Sequence, residues 1–239
     1  EGEAQMRGQN KSSAVMQQRQ EARDALDDFP TPMWATRALC AALIAKGYDL
    51  GACVVREPCA NRGYMVHPLG EYFGDVLASD VHDYGAGFQV MDYLFGFLPD
   101  SVDWTVFNPP FRLAQQFIER ARATSAGVAV FVRSAFLEGE ERYKTLFSQD
   151  PPDIVLQFSE RVVIHKGVMR QAGEKYWDPD ADEGRGKWKS ASSATSYCWM
   201  IWLPKSGTAK ENQTTFNWIA PCRPRFEREG DYAPLGDLS

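Results

Sequence analysis

The chain has 239 residues, of which 44% are hydrophobic and 24% charged, with a formal net charge of -6. These values suit one domain with a sizeable core, no apolar run is long enough to span a bilayer, and the acidic balance excludes a generally basic nucleic-acid coat without excluding a local positive groove. Five cysteines with no CxxC pair and three widely spaced histidines predict a reducing compartment and no structural metal.

Residues 1–28 are polar, with Val15, Ala22 and Leu26 at roughly helical spacing, and predict an N-terminal arm or marginal amphipathic helix. No apolar core of the secretory kind occurs there, so a cytoplasmic protein is expected. In DFPTP, Thr31 is a good N-cap and Pro32 suits a first helical position; the WATRALCAALIAKG that follows predicts a helix over about 32–46, ending at Gly47. ACVVREP, VLASD, DWTVFNPP and GVAVFVRS are short apolar runs separated by helix-like segments such as LAQQFIERARATSA. Together they predict an α/β layer fold around a buried, mostly parallel sheet.

Farther along, DIVLQFSERVVIHKG and SYCWMIWLP predict two more strands, the second antiparallel. The segment between them is polar, turn-rich and too long for a tight hairpin, which makes residues 166–195 a candidate substrate loop. Lysines and arginines there, Lys187 among them, alternate with Tyr176, Trp177 and Trp188, a mixture suited to phosphates and bases. Acids nearly cancel that charge, so a solvated loop is the plainer alternative. Prolines 221, 224 and 234 predict an irregular C-terminal extension over 206–239.

In an open α/β sheet, ligands bind beyond the carboxyl ends of the strands, where Glu57, Asp80 and Asn108 follow their apolar runs. The acids suit hydroxyl or amino donors and Gly63 permits close backbone approach, which together describe a site for a polar, nucleoside-like molecule. Each acid alone would more simply cap a helix. Pro109 and Pro110 fix two φ angles and remove two donors, so the turn after the strand is stiff. Asn108 and the Pro109 carbonyl can then accept both hydrogens of one flat NH2 group, with Phe111 offering a ring for stacking. Two such acceptors favour a pyramidal nitrogen whose lone pair can attack, and a sulfonium methyl placed opposite would complete an in-line transfer.

The order FPTP (29–32), EPCANRG (57–63), SD (79–80), MDYL (91–94) and NPPF (108–111) resembles the S-adenosylmethionine-dependent amino-methyltransferases. It is most similar to the DNA adenine-N6 branch, including its small phage-type members, and the likeness spans about residues 29–203. The resemblance implies a Rossmann-like class I methyltransferase fold over residues 29–205, with a mostly parallel sheet, an antiparallel last strand and helices on both faces. It implies S-adenosylmethionine as cofactor, with Thr31 and Pro32 by its methionine end, Glu57, Pro58 and Gly63 along the first loop, Asp80 on the ribose and Asp92 on the adenine. Asn108 would border the cofactor and, with Pro109, Pro110 and Phe111, hold the target amine. Asn61 stands where the family usually has glycine; Asn tolerates left-handed backbone better than most residues.

Within that family, cytosine-N4 enzymes usually begin the motif with Ser and protein-glutamine enzymes usually end it with Tyr, so Asn108 and Phe111 point to adenine. Cytosine carbon-5 transfer needs a cysteine in the catalytic motif, whereas Cys59 falls in the cofactor loop and reads as a packing residue. Phe158, Arg161 and Lys166 resemble the wall of the target-base pocket. No large recognition domain interrupts the motifs, so specificity should be short or loose. An RNA substrate and a non-catalytic binding fold remain the alternatives.

Overall fold

The structure is a computed structural model describing residues 27–204 and 213–233; nearly all of the expected N-terminal arm lies outside the described residues. Ten strands are present among the described residues: β1 (Val54–Glu57), β2 (Asp75–Asp80), β3 (Gln89–Val90), β4 (Val102–Phe107), β5 (Ser125–Arg133), β6 (Ile154–Phe158), β7 (Lys175–Asp178), β8 (Lys187–Ser190), β9 (Tyr197–Trp202) and β10 (Thr215–Ile219). Eight of them form one sheet in the order β10-β6-β9-β5-β4-β1-β2-β3, and β7 with β8 forms a separate hairpin. All neighbours in the large sheet are parallel except β9, which runs antiparallel to both β5 and β6.

Side-chain alternation along the central strands builds the two faces. Val106, Phe131, Trp199 and Ile201 enter one core with the long helix α1 (Met33–Ala45). Their neighbours Phe107, Val130, Val132, Cys198, Met200 and Trp202 enter a second core under α2 (Ala114–Thr124). Because helices cover both faces, β9 is buried at every position and reads as a continuous apolar run. Trp199 Nε1 donates to the Ala35 carbonyl at 3.1 Å, tying α1 to the sheet. Across the parallel β4-β5 pair, Gly127 lies beside Trp104, where an added Cβ would fall 2.6 Å from the indole. That glycine is required by close approach.

The expected helix over 32–46 is present as Met33–Ala45 with Lys46 as C-cap, and Gly47, the next residue, has a φ of 93° that suits glycine. Its cap differs from expectation. Pro32 occupies the N-cap position, no side chain caps the helix, and Thr31 is committed elsewhere.

Three further expectations need correction. The run DIVLQFSERVVIHKG is a strand only to Phe158; residues beyond it are irregular except for a single bridge from His165 to Val168. The 166–195 segment is in part ordered as the β7-β8 hairpin, with Trp177 directly opposite Trp188. The extension after residue 206 contains β10 and a short helix, Arg223–Phe226, so β9 is not the last strand. Thr215–Ile219 alternates, leaving Phe216 and Trp218 exposed, and it pairs along β6 through its backbone.

Candidate active site

The chain builds β1, β2 and β3 outward in one direction, then crosses back to build β4 and β5 on the other side of β1. This reversal opens a crevice at the carboxyl ends of β1 and β4. A cavity of about 190 Å3 occupies it. Thr31, Pro58, Asp80, Asp92, Asn108 and Pro110 all line it. Pro32, Glu57, Gly63, Pro109 and Phe111 do not line it.

Asn108 follows β4 directly, and its amide is held at both hydrogens. Nδ2 donates to the Phe29 carbonyl at 2.9 Å and to Thr31 Oγ1 at 3.0 Å. Oδ1 receives no donor among the described residues, and neither does the Pro109 carbonyl. The FPTP segment thus aims the Asn108 carbonyl, and the next residue can offer a second acceptor with no bond to break. The role of Thr31 differs from the one its sequence position suggests: its hydroxyl orients Asn108 instead of capping α1.

Asp27, a residue outside the predicted site, anchors the same turn. Its Oδ2 accepts from the Phe111 N–H at 2.9 Å, and the residue also lines the cavity. The pair of acids directly before FPTP was the available signal, for Asp28 is engaged too. Asp28 accepts from Asn61 Nδ2 at 2.8 Å and forms an ion pair with Arg62 at 2.9 Å. Asn61 has φ of 50°, so the departure from glycine keeps the left-handed turn and adds a tether to the FPTP side.

Asp80 closes β2 and accepts from two backbone groups, Asn61 N at 2.9 Å and His82 N at 3.0 Å, one on each oxygen. Each oxygen keeps a second acceptor site for a ligand hydroxyl. Asp92 accepts from Leu94 N through Oδ1, at 2.9 Å.

Glu57 is completely buried. Oε1 accepts from Cys59 N at 2.8 Å, while Oε2 is buried with no hydrogen-bond partner among the described residues. Burial pushes its carboxyl well above the ordinary value, with the nearby Asp80 adding to the rise and the Cys59 bond opposing it. Cys59 is itself pushed up by burial and by the charges of Glu57 and Asp80, so it is a poor thiolate.

A raised carboxyl makes Glu57 stabilising below its ordinary value of 4.5, and that contribution is lost as pH rises through the folded value. In melting curves recorded from pH 4.5 to 8, Glu57→Gln is expected to gain on the parent as pH rises. A constant difference across that range would contradict a buried, penalised charge at Glu57.

The residues expected to wall a target-base pocket are dispersed. Phe158 is 5% exposed and packs edge-on against Trp34 and Phe131 in the core, leaving no face for a base. Its position in a two-sided strand decides this. Arg161 is exposed and donates to the Ala194 carbonyl and Ser196 Oγ, while Lys166 lies in the irregular stretch before the hairpin. On the hairpin, Lys189 pairs with Asp178 at 2.7 Å and Arg185 with Glu183 at 3.6 Å. Lys187 is exposed and has no ion-pair partner among the described residues. Trp177 and Trp188 are 49% and 65% exposed, with ring centres 5.8 Å apart, a surface aromatic pair beside that lysine.

No protein-family model and no curated protein matches the chain. Three solved structures are similar to it. A Pyrococcus horikoshii protein assigned to the RNA methyltransferases shares 17% identity and a TM-score of 0.50, over 78% of this chain and 92% of that one. A Listeria monocytogenes protein assigned to the class I S-adenosylmethionine-dependent methyltransferases shares 12% identity and a TM-score of 0.51, over 79% and 65%. The methyltransferase subunit of a type I restriction-modification system from Streptococcus thermophilus shares 10% identity and a TM-score of 0.52, over 81% of this chain and about half, 51%, of that one. The chain has the class I methyltransferase fold, with its mostly parallel sheet, antiparallel β9 and helices on both faces. No helix among the described residues is long and apolar enough to cross a membrane.

Proposed function

We propose that this protein transfers a methyl group from S-adenosylmethionine to the N6 amino group of adenine in DNA, with short or loose sequence specificity. The observation that carries the reading is Asn108: both amide hydrogens are taken by the FPTP segment, which leaves Oδ1 as an aimed acceptor on the cavity wall. The fold is shared by proteins assigned to RNA and to DNA-modification systems, so the substrate is argued from the site.

The residues present fit the cofactor. Glu57 Oε2 is a buried oxygen in want of a donor, and the cofactor's ammonium has hydrogens to give. Asp80 retains acceptor capacity for ribose hydroxyls, and Asp92 is placed on the cavity wall for an adenine amino group. When bound, the cofactor supplies an electrophilic methyl group on a positively charged sulfur. The chain itself does three things: it sets the position of the acceptor nitrogen, removes water from around it, and polarises its N–H bonds.

An aromatic amine lends its lone pair to the ring and is therefore a weak nucleophile. Asn108 Oδ1 and the Pro109 carbonyl, accepting one hydrogen each, favour a pyramidal nitrogen and return that pair for attack. Stiffness matters because the gain comes from alignment, and the consecutive prolines prevent the acceptors from relaxing away. For adenine in a duplex, the base must leave the stack, at a cost of a few kcal/mol that contacts to the nucleic acid offset. The Trp177 and Trp188 pair with Lys187 is the surface we assign to those contacts.

The direct test is incubation with isotope-labelled S-adenosylmethionine and separate DNA, RNA and protein acceptors, followed by mass analysis. Label in N6-methyladenine from DNA is expected. Label confined to RNA or protein would replace the acceptor, and none in any of them would remove the enzymatic reading.

A further inference from the structure

Arg133 is the last residue of β5, beside the carboxyl end of β4 from which the NPPF turn departs. Its guanidinium carbon lies 3.7 Å from the centre of the Phe111 ring and 6.0 Å from that of Phe29. The first distance is that of two stacked planes, so the flat cation occupies the space a nucleobase would take on that face. Phe29 crowds Phe111 from another side, with ring centres 5.5 Å apart and planes tilted by 45°. A base cannot stack on the covered face of Phe111 while Arg133 stays in place.

Arg133 is also only partly satisfied, with the Tyr197 hydroxyl as a neutral partner. No carboxylate pairs with it among the described residues, although Arg37, Arg62, Arg122 and Arg170 all have such partners. Its Nε is buried without an acceptor among the described residues. A guanidinium has five donors in a fixed fork, and the anion whose geometry best fits that fork outside a carboxylate is a phosphate. Its attraction to the Phe111 ring is weak enough to be exchanged for a charge-assisted bond.

We infer that Arg133 is a gate on the acceptor seat: in the free protein it stacks on Phe111, and a phosphodiester next to the target nucleotide draws it off, freeing the ring for the base. The inference rests on the proposed nucleic-acid reading and adds a positioning residue to it. Because the exchange couples phosphate binding to base entry, a free nucleoside, which has no phosphate, opens the seat less well than a strand does.

The test compares the parent, Arg133→Ala and Arg133→Lys in methyl transfer to an adenine-containing DNA at several salt concentrations, with S-adenosylmethionine binding measured separately. Arg133→Ala is expected to raise KM for DNA by about tenfold with kcat within about twofold, and to lower the salt slope by about one. Arg133→Lys, which keeps the charge, should retain the parent's salt slope. Cofactor affinity should be unchanged in both. If Arg133→Ala leaves KM and salt slope as in the parent, or if cofactor affinity falls in step with KM, the gate is overturned while the methyltransferase reading stands. A Lys variant with the slope of the Ala variant also overturns it. Absence of transfer by the parent to any polynucleotide overturns the underlying reading, and the gate with it.

Discussion

Asn108→Ala is expected to lower kcat for methyl transfer by about 10²–10³, the usual consequence of deleting one preorganised polar group at the reacting atoms. The affinity for S-adenosylmethionine should change by only a few-fold, because Asp80 and Asp92 line other parts of that cavity. The two readings separate cleanly in a binding titration run beside a single-turnover assay. Thr31→Val removes one of the two anchors of the Asn108 amide but leaves Oδ1 in the site, so its effect should fall between parent and Asn108→Ala. Turnover retained in full by Asn108→Ala would end the proposal that its oxygen acts on the acceptor. Equal loss of cofactor binding and turnover would recast Asn108 as a cofactor ligand alone.

That prediction could be framed from sequence because NPPF declares itself locally: two prolines after an apolar strand leave few conformations open. The β1, β4 and β5 runs and the α1 pattern are legible for the same reason, each being a local apolar pattern backed by burial, whereas β2 is legible as an apolar run although it is largely exposed. The residues that aim Asn108 were only half legible. Thr31 satisfies the local rule for an N-cap, but a partner 77 positions away along the chain wins its hydroxyl. Asp27 and Arg133 act through contacts with Phe111 that no spacing encodes. Phe158 shows the opposite failure: an aromatic near the expected pocket wall lies inward, since the strand that carries it is covered on both faces. β10 escaped notice because its pairing with β6 joins positions more than 60 residues apart, and prolines nearby hid a five-residue alternation.

Arg37→Met is expected to destabilise the fold by about 3–5 kcal/mol, the range for removing one partner of a buried ion pair. For a chain of this size that lowers the melting temperature by about 6–20 °C. Arg37 is 3% exposed on α1, and its guanidinium is bonded on every side. Nη1 donates to Asp231 Oδ2 and to the Phe226 carbonyl, both at 2.7 Å; Nη2 donates to Asp231 Oδ1 and Glu71 Oε1 at 2.9 Å; Nε donates to Glu71 Oε2, also at 2.9 Å. Burial opposes the charge, yet the bonds to Asp231 and Glu71 outweigh it and raise the pKa above the ordinary arginine value. Methionine fills similar space but leaves Asp231, at 4% exposure, as an uncompensated carboxylate. The extension beyond β10 is therefore locked to α1, the helix that follows FPTP, by one cation. Arg37→Met combined with Asp231→Asn should recover part of the loss, because the stranded charge is then gone. Additive losses in the double variant would mean that Arg37 acts through packing and not through the Asp231 pair.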